Sequence, residues 1–441
     1  MSMIVRRWRL VAASAAVLLL LGGAVLVAGT APAAGAVEAL PDRVVTPPLG
    51  TLRITDPFPI GAAAVAVSGF GGNDPDSIAV VDAETGRYRA HRVGPSAPVG
   101  EVVLLSPDGT RLAHQGNNAL GQSFVEVVDL GDRSVDRVGP GDTDSVWTRP
   151  LAWSPDGSQL VLADAVPQTP ERSAYSKVVS LVDVASGSVR TLATADDATP
   201  LVTGYAVAFT ADGRRLALQL GTELTIVDLA TDERRTLTLP ANRTLAGKGA
   251  WQPDGRTLTL AERDGDDWRL VSVDPATGSE APGPPLPTVE EVLAVRLLGW
   301  QPDGAALVVA YQPRPKGMGS GWSLDQRIHY GHVGGVQLVS LLPGAGSPTV
   351  RVTMADGIRA VDVADRAVAS GVIRPAGEPS RWPGPRVWLW LVVGVVASLL
   401  LAAVGWPRRT LRRRPDTEQH VTQLPAAVGR GQVPADFGYG R

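Results

Sequence analysis

A six-residue motif recurs five times along this chain, and it constrains the possible folds more than any other feature of the sequence. Each copy places an apolar or aromatic residue just before a turn that ends in Asp-Gly, and four copies have Pro before the Asp. Pro presets the φ angle of a turn, Asp bonds the backbone ahead of it, and Gly accepts positive φ. The copies are Leu104–Gly109, Ala152–Gly157, Ala208–Gly213, Ala250–Gly255 and Gly299–Gly304.

The residues around each motif predict strands. Apolar residues alternate after the turn, as in Gln159-Leu160-Val161-Leu162, and a later segment of each unit ends in Val-Asp, as in Val182-Asp183. The aspartates of the motif are 42–56 residues apart, and four short strands in a unit of that length are the signature of a propeller blade. We therefore expect an all-β fold over residues 60–375. The predicted fold is a β-propeller of six to seven four-stranded blades. Seven is favoured: residues 60–95 form a first blade without the motif, 349–373 form part of a last blade, and strands from both ends complete the terminal blade.

The Pro-Asp-Gly units resemble those of TolB-like propellers, which are relatives of the Trp-Asp repeat family. The resemblance covers roughly residues 50–375 and implies the propeller fold. The chain departs from TolB because it shows no separate N-terminal α/β domain and has an apolar segment near its C-terminus. The resemblance therefore implies a fold and does not carry over a partner or an activity.

The N-terminus has the pattern of a secretory signal. Three arginines among the first nine residues precede an apolar run from Leu10 to Ala28 and a stretch of small residues. This order is typical of a signal peptide over residues 1–36, with cleavage after Ala36 favoured over cleavage after Ala33. The apolar run is longer than usual, so an uncleaved signal anchor is the alternative.

A second apolar run, Trp388 to Trp406, contains no charged residue. Its length suits a helix that crosses the hydrocarbon core, and tryptophans at both ends suit the interface with lipid headgroups. Five arginines follow Pro407 at once, and by the positive-inside rule they place residues 407–441 in the cytoplasm. The sequence therefore predicts a single-pass protein of the cell membrane, which contacts lipid through Trp388–Trp406 and has an extracytoplasmic body.

The predicted order is signal, linker 37–59, propeller 60–375, linker 376–387, transmembrane helix 388–406 and a disordered basic tail 407–441. The whole chain has a net charge of −3 although both ends are basic, so the body between them is acidic. An acidic surface repels phosphate groups, and we expect no nucleic-acid partner.

No motif for catalysis or for a cofactor is present. The chain has no cysteine, which excludes disulfides, thiolate metal sites and a lipoprotein anchor. It contains no nucleophile elbow, phosphate loop or zinc-peptidase motif. We expect no cofactor, no metal and no catalytic residue. The carboxylates of Asp264–Asp267 and of Asn73–Asp76 lack the spacing of a calcium loop and are interpreted as exposed hairpin tips.

The connection from Gln312 to Val336 is longer than a blade needs, and long loops often carry function. It contains basic and aromatic side chains that could bind an envelope protein or an anionic ligand. These candidate binding residues are Lys316, Trp322, Arg327, His329, Tyr330 and His332.

Three functions are compatible with these features. The favoured one is a non-enzymatic binding or scaffold module of the cell envelope. The alternatives are a hydrolase of the lactonase or glycosidase type at the propeller channel and a transmembrane sensor. A channel hydrolase would require three or more carboxylates or histidines that converge at the channel mouth.

Overall fold

The computed structural model describes residues 38–399 with the exception of 49, 57–58, 70–75, 95–96, 119–121, 140–144, 169–173, 315–331 and 378–391. The described residues form six sheets arranged as the blades of a β-propeller, so the expectation of an all-β propeller is confirmed. Each blade is an antiparallel meander, and strands are numbered in chain order.

Blades 2 to 4 each contain four consecutive strands. Blade 2 consists of β6 (Val103–Leu105), β7 (Arg111–Asn117), β8 (Ser123–Asp129) and β9 (Val135–Val138). Blade 3 consists of β10 (Trp147–Trp153), β11 (Gln159–Pro167), β12 (Tyr175–Asp183) and β13 (Val189–Asp196). Blade 4 consists of β14 (Val207–Phe209), β15 (Arg215–Leu220), β16 (Glu223–Asp228) and β17 (Arg234–Thr238).

Blades 5 and 6 depart from four consecutive strands. Blade 5 has three: β18 (Arg243–Leu245), β19 (Leu258–Asp264) and β20 (Asp267–Val273). The segment after β20 bridges back to it at Glu280 and Val289, and prolines between these two positions interrupt a fourth ladder. Blade 6 has β21 (Ala294–Trp300), β22 (Ala306–Pro313), β23 (Val333–Leu341) and β24 (Thr349–Met354), with β2 (Arg43–Val44) added in parallel to β24.

Blade 1 joins the two ends of the propeller. Its three outer strands are β3 (Ala63–Ser68), β4 (Ser77–Asp82) and β5 (Tyr88–Arg92), and its innermost strand is β25 (Ala360–Val363). The preference for seven blades is therefore wrong. Residues 60–95 contribute three strands of blade 1, and residues 349–373 contribute the outer strand β24 of blade 6 and the innermost strand β25 of blade 1. The expectation that one blade is completed by strands from both ends is confirmed.

The ends of the described propeller segment are held together by additional pairing. In the predicted linker 37–59, β1 (Leu40–Pro41) pairs in parallel with β26 (Ile373–Arg374), and β2 lies against blade 6. A short helix, α1 (Asp365–Ser370), follows β25. Both termini of this unit are thus fastened to strands from distant parts of the chain.

The recurring motif forms the turn between the first and second strands of five blades, as predicted. In blade 3, Asp156 Oδ1 accepts hydrogen bonds from Ser154 Oγ at 2.6 Å and from the Ser158 amide at 3.0 Å. These hydrogen bonds, that from Ser154 above all, lower the pKa of Asp156. The aspartates therefore serve the turns.

The tryptophan of the motif joins neighbouring blades. Trp251 is buried, and its Nε1–H donates to the Ala208 carbonyl of blade 4 at 3.2 Å. The guanidinium of Arg215, also in blade 4, lies over the Trp251 ring at 5.0 Å and donates to the Gly255 carbonyl. Trp153 and Trp300 make the corresponding bonds to Leu104 and Gly249.

Antiparallel blades give the propeller two distinct ends. The turn face carries the turns between the first and second strands and between the third and fourth strands. The loop face carries the connections between the second and third strands and between successive blades. In blade 6, Pro313 at the end of β22 and Val333 at the start of β23 therefore lie at the loop face.

Of the predicted transmembrane segment 388–406, the structure describes residues 392–399, which are helical and exposed. No helix among the described residues is both long enough and apolar enough to cross a membrane. The predicted signal 1–36 and the tail 407–441 lie outside the described residues.

Candidate functional site at the central channel

The central channel contains a cluster of charged side chains that the sequence did not single out. Arg296 of β21 and Asp362 of β25 are each about 1 % exposed, and Lys248 approaches from blade 5. Lys248 Nζ lies 3.1 Å from Asp362 Oδ1 and 2.8 Å from Asp365 Oδ1, at the start of α1. We refer to Lys248, Arg296, Asp362 and Asp365 as the channel cluster.

Arg296 links blade 6 to the closing strand of blade 1 and to the connection between blades 1 and 2. Nη1 donates to the Gly100 carbonyl at 2.7 Å, Nη2 donates to the Val361 carbonyl, and Nε donates to Tyr311 Oη at 3.3 Å. Asp362 Oδ1 is 3.9 Å from Nη1. Because a buried guanidinium needs partners for its donors, these bonds determine its position.

Gly100 provides the space for this guanidinium. A Cβ atom at Gly100 would lie 2.0 Å from Arg296 Nη2, and the φ angle of Gly100 is +85°. Both facts require glycine at this position.

The charges of the channel cluster balance one another. Burial opposes the protonated form of Lys248, but the nearby carboxylates of Asp362 and Asp365 outweigh burial and raise the pKa of Lys248. Burial likewise opposes the charge on Arg296, and Tyr311 and Asp362 raise its pKa. Asp362 also accepts a hydrogen bond from the Leu105 amide of blade 2 at 3.0 Å. Both cations therefore remain charged and hold the closing strand β25.

A cavity of about 50 Å³ lies beside the cluster. One side is apolar and includes Leu104, Trp153 and Phe209, whereas the other side is formed by the channel cluster. Binding sites for small organic molecules usually have roughly 300–1,000 Å³. Among the described residues this cavity is small by that comparison and has space for a few water molecules.

The carboxylates in the described part of the channel all have partners. Asp362 and Asp365 both contact Lys248, and the buried Glu101, which lies near Arg296, accepts a hydrogen bond from Thr203 Oγ1 at 3.2 Å. Among the residues that the structure describes, no group of three or more His, Asp or Glu side chains is arranged to hold a metal ion.

The structure does not describe five of the six predicted binding residues of the loop 312–336. Lys316, Trp322, Arg327, His329 and Tyr330 lie outside the described residues. His332 is described, half-buried at the end of the loop, and its carbonyl accepts a hydrogen bond from the Arg314 amide at 3.0 Å. The acidic segment Asp264–Asp267 forms the tip of the β19–β20 hairpin, in agreement with the sequence interpretation, whereas 73–75 lie outside the described residues.

Two stacked pairs of arginine and an aromatic ring lie on the loop face at the junction of blades 2 and 3. The guanidinium of Arg149 is 4.8 Å from the centre of the Trp147 ring, and that of Arg137 is 4.3 Å from the Phe124 ring. Trp147 and Phe124 are half-buried and Arg137 is exposed. Sequence analysis missed both pairs, although the spacing of Trp147 and Arg149 places them on one side of a strand.

With this geometry established, comparison with known proteins identifies similar folds. No protein-family model and no curated protein matches the chain. A TolB protein of Agrobacterium tumefaciens is 14 % identical, with a TM-score of 0.39, over 68 % of this chain and 91 % of that one. An oligogalacturonate lyase in complex with manganese gives the same values.

A puromycin hydrolase is 17 % identical over 66 % of this chain and 46 % of its own length, with a TM-score of 0.37. The chain thus spans less than half of that hydrolase. TolB proteins are among the similar structures, in agreement with the resemblance inferred from the repeats. The described residues of the chain form a six-bladed β-propeller. These proteins differ in activity, so the likeness concerns architecture alone.

Proposed function

We propose that this protein is a non-enzymatic binding or scaffold module of the cell envelope, tethered by the segment Trp388–Trp406 with its propeller outside the cytoplasm. The partner is an envelope protein or an anionic ligand that contacts the loop face. The signal-like N-terminus and the basic residues after Pro407 support this placement.

The channel carries the main argument for binding over hydrolysis. A glycosidase needs one carboxyl group as acid and a second as nucleophile or base, with the sugar between them. Here Asp362 is buried, contacts Lys248 and accepts a hydrogen bond from the Leu105 amide. The adjacent cavity has a volume of about 50 Å³. Neither the space nor free carboxylates support a channel hydrolase.

The loop face offers a more suitable surface. Trp and Arg are enriched among the residues that dominate binding energy at protein interfaces. A guanidinium stacked on a ring is held in place and still presents donors to carboxylate or phosphate groups. The exposed Arg137, stacked on Phe124, provides this arrangement, and the pair Trp147–Arg149 lies beside it at the junction of two blades.

Replacing Trp147 and Arg149 together by alanine is expected to weaken partner binding by about tenfold or more, because loss of a central aromatic residue costs over 1 kcal/mol. The yield of the product obtained by crosslinking in intact cells measures this loss. The matched control is Arg256→Ala, an exposed arginine on the turn face. Thermal melting first shows that the double variant is folded like the wild type. Equal crosslinking yields from the two proteins would then remove the loop face from the proposal.

The placement across the membrane has its own prediction. A reporter enzyme that works only in the cytoplasm is expected to be inactive when fused after Gly255 and active when fused after Arg441. The physical reason is the positive-inside rule applied to the arginines after Pro407. Activity at Gly255 would contradict the extracytoplasmic placement and leave the fold unaffected.

A further inference from the structure

Two histidines from different blades meet at the seam between blades 1 and 2. His91 is on β5, the outermost strand of blade 1, and His114 is on β7 of blade 2. Their Nε2 atoms are 2.9 Å apart, and the ring centres are 4.9 Å apart. His114 is about 3 % exposed. The pair therefore links two blades at a position that water reaches poorly.

The hydrogen bonds define which nitrogen carries each proton. His114 Nδ1 lies 2.9 Å from the Gln115 carbonyl, which can only accept, so Nδ1 carries the proton. In neutral His114, Nε2 is then an acceptor, and His91 Nε2–H donates to it. If both rings become protonated, two N–H groups oppose each other across 2.9 Å. The doubly protonated pair cannot keep this contact.

The charged groups around the pair do not compensate for protonation of His91. Arg53 faces His91 and disfavours a second positive charge, whereas Glu126 Oε2 lies 3.7 Å from His114 Nε2 on the other side. Burial, then His114 and then Arg53 lower the pKa of His91 to about 3, and burial lowers that of His114. Further charged groups lie beyond these contacts: Arg92, ion-paired with Asp76, and Arg137, opposite Glu126.

We propose that His91 and His114 form an acid-labile latch, in which proton uptake by the pair separates the two rings and loosens the seam between blades 1 and 2. The seam also contains apolar residues from both blades, among them Ile78, Val80, Val103 and Leu112. Loosening the latch exposes this cluster while the seams between the other blades stay closed. This inference goes beyond the proposed function, and it holds for any partner.

The sign of the pH effect follows from linkage. The pKa of His91 is lower in the folded state than its ordinary value of 6.5, so the latch contributes its full stability above that value. The contribution falls as pH drops below 6.5 and is exhausted near pH 3. The equilibrium constant for closing the seam is therefore expected to be about 30-fold smaller at pH 5 than at pH 7.5.

Because the chain contains no cysteine, a single introduced cysteine reports on one seam. Val80→Cys places a thiol in the seam between blades 1 and 2, and Val161→Cys places one in the buried cluster of blades 3 and 4. Labelling of the full-length protein in detergent with dithiodipyridine, which reacts with thiols in acid, is compared at pH 5 and pH 7.5. The rates are corrected for the intrinsic pH dependence of the reagent, which is measured with a free thiol. We then expect up to about 30-fold faster labelling of Val80→Cys at pH 5 than at pH 7.5, and little change for Val161→Cys.

His91→Gln, which retains a donor toward His114 without titrating, is expected to reduce the acid response strongly in the Val80→Cys background, because only His114 then titrates. His91→Phe serves as the second variant if the first fails to fold. Equal acid responses of the two cysteines would overturn the latch, as would an unchanged response after His91→Gln. Protection of Val80→Cys by Zn²⁺ at pH 7.5 that requires His91 would overturn it as well, because the pair would then be a metal site.

Discussion

Replacing Arg296 by methionine is expected to lower the free energy of unfolding by about 3–5 kcal/mol, which is the usual cost of removing one partner from a buried charged pair. The methionine fills much of the space but leaves the carbonyls of Gly100 and Val361 without their donor. Asp362 keeps Lys248 as its remaining cation. Urea unfolding followed by tryptophan fluorescence measures the loss.

The control is Arg256→Met, which removes an exposed guanidinium on the turn face. Surface substitutions usually change stability by less than about 0.5 kcal/mol. Gly100→Ala probes the same contact from the other side, because its Cβ would collide with the guanidinium. If Arg296→Met costs less than about 1 kcal/mol, Arg296 does not hold the closing strand.

Asp164→Asn is expected to stabilise the protein at pH 7. Asp164 is about 1 % exposed, and its Oδ1 accepts a hydrogen bond from Thr148 Oγ1 at 2.6 Å. Burial raises its pKa from 3.8 to about 6, against the effect of that hydrogen bond. The difference corresponds to a cost of up to about 3 kcal/mol when the carboxyl group is ionised. Asparagine removes the charge and can still accept from Thr148.

The pH dependence provides the sharper measurement. Because the folded pKa of Asp164 is raised, its favourable contribution is complete below about pH 4 and is lost as pH rises through about 6. The advantage of Asp164→Asn should therefore be largest at pH 7 and vanish below about pH 4. Urea midpoints at several pH values test this, with the exposed Asp264→Asn as control.

His91 and Asp164 act in opposite directions between about pH 4 and 6. Acidification in this range weakens the structure through His91 and strengthens it through Asp164. Asp164→Asn removes only the second effect, so its stability should fall more steeply with acid than that of the wild type. Parallel pH curves for the two proteins would contradict the buried, partly protonated state of Asp164.

The positions of the turns could be read from the sequence because the determinants are local. Pro, Asp and Gly within four residues specify a turn, and alternating apolar residues specify the strand that follows. The blade number could not be read in the same way. The sequence indicated that strands from both ends complete one blade, but it did not show that Ala360–Val363 and Ala63–Ser68 belong to the same blade.

The channel cluster was missed although a signal for it was present. Arg296 interrupts the apolar strand Ala294–Trp300, and Asp362 interrupts Ala360–Val363. A single charge in a buried strand suggests a partner. The identity of that partner depends on how separate blades face one another, which no local pattern specifies.

By itself the sequence determined the repeat, the hairpin turns and the all-β class, because these depend on neighbouring residues. Tertiary structure alone decided that there are six blades, that β25 closes the ring, and that Arg296, Lys248 and Asp362 meet in the channel. It also decided that His91 meets His114. The physical reason is that ring closure pairs residues about 300 positions apart, and contacts at that separation depend on the geometry of the whole ring.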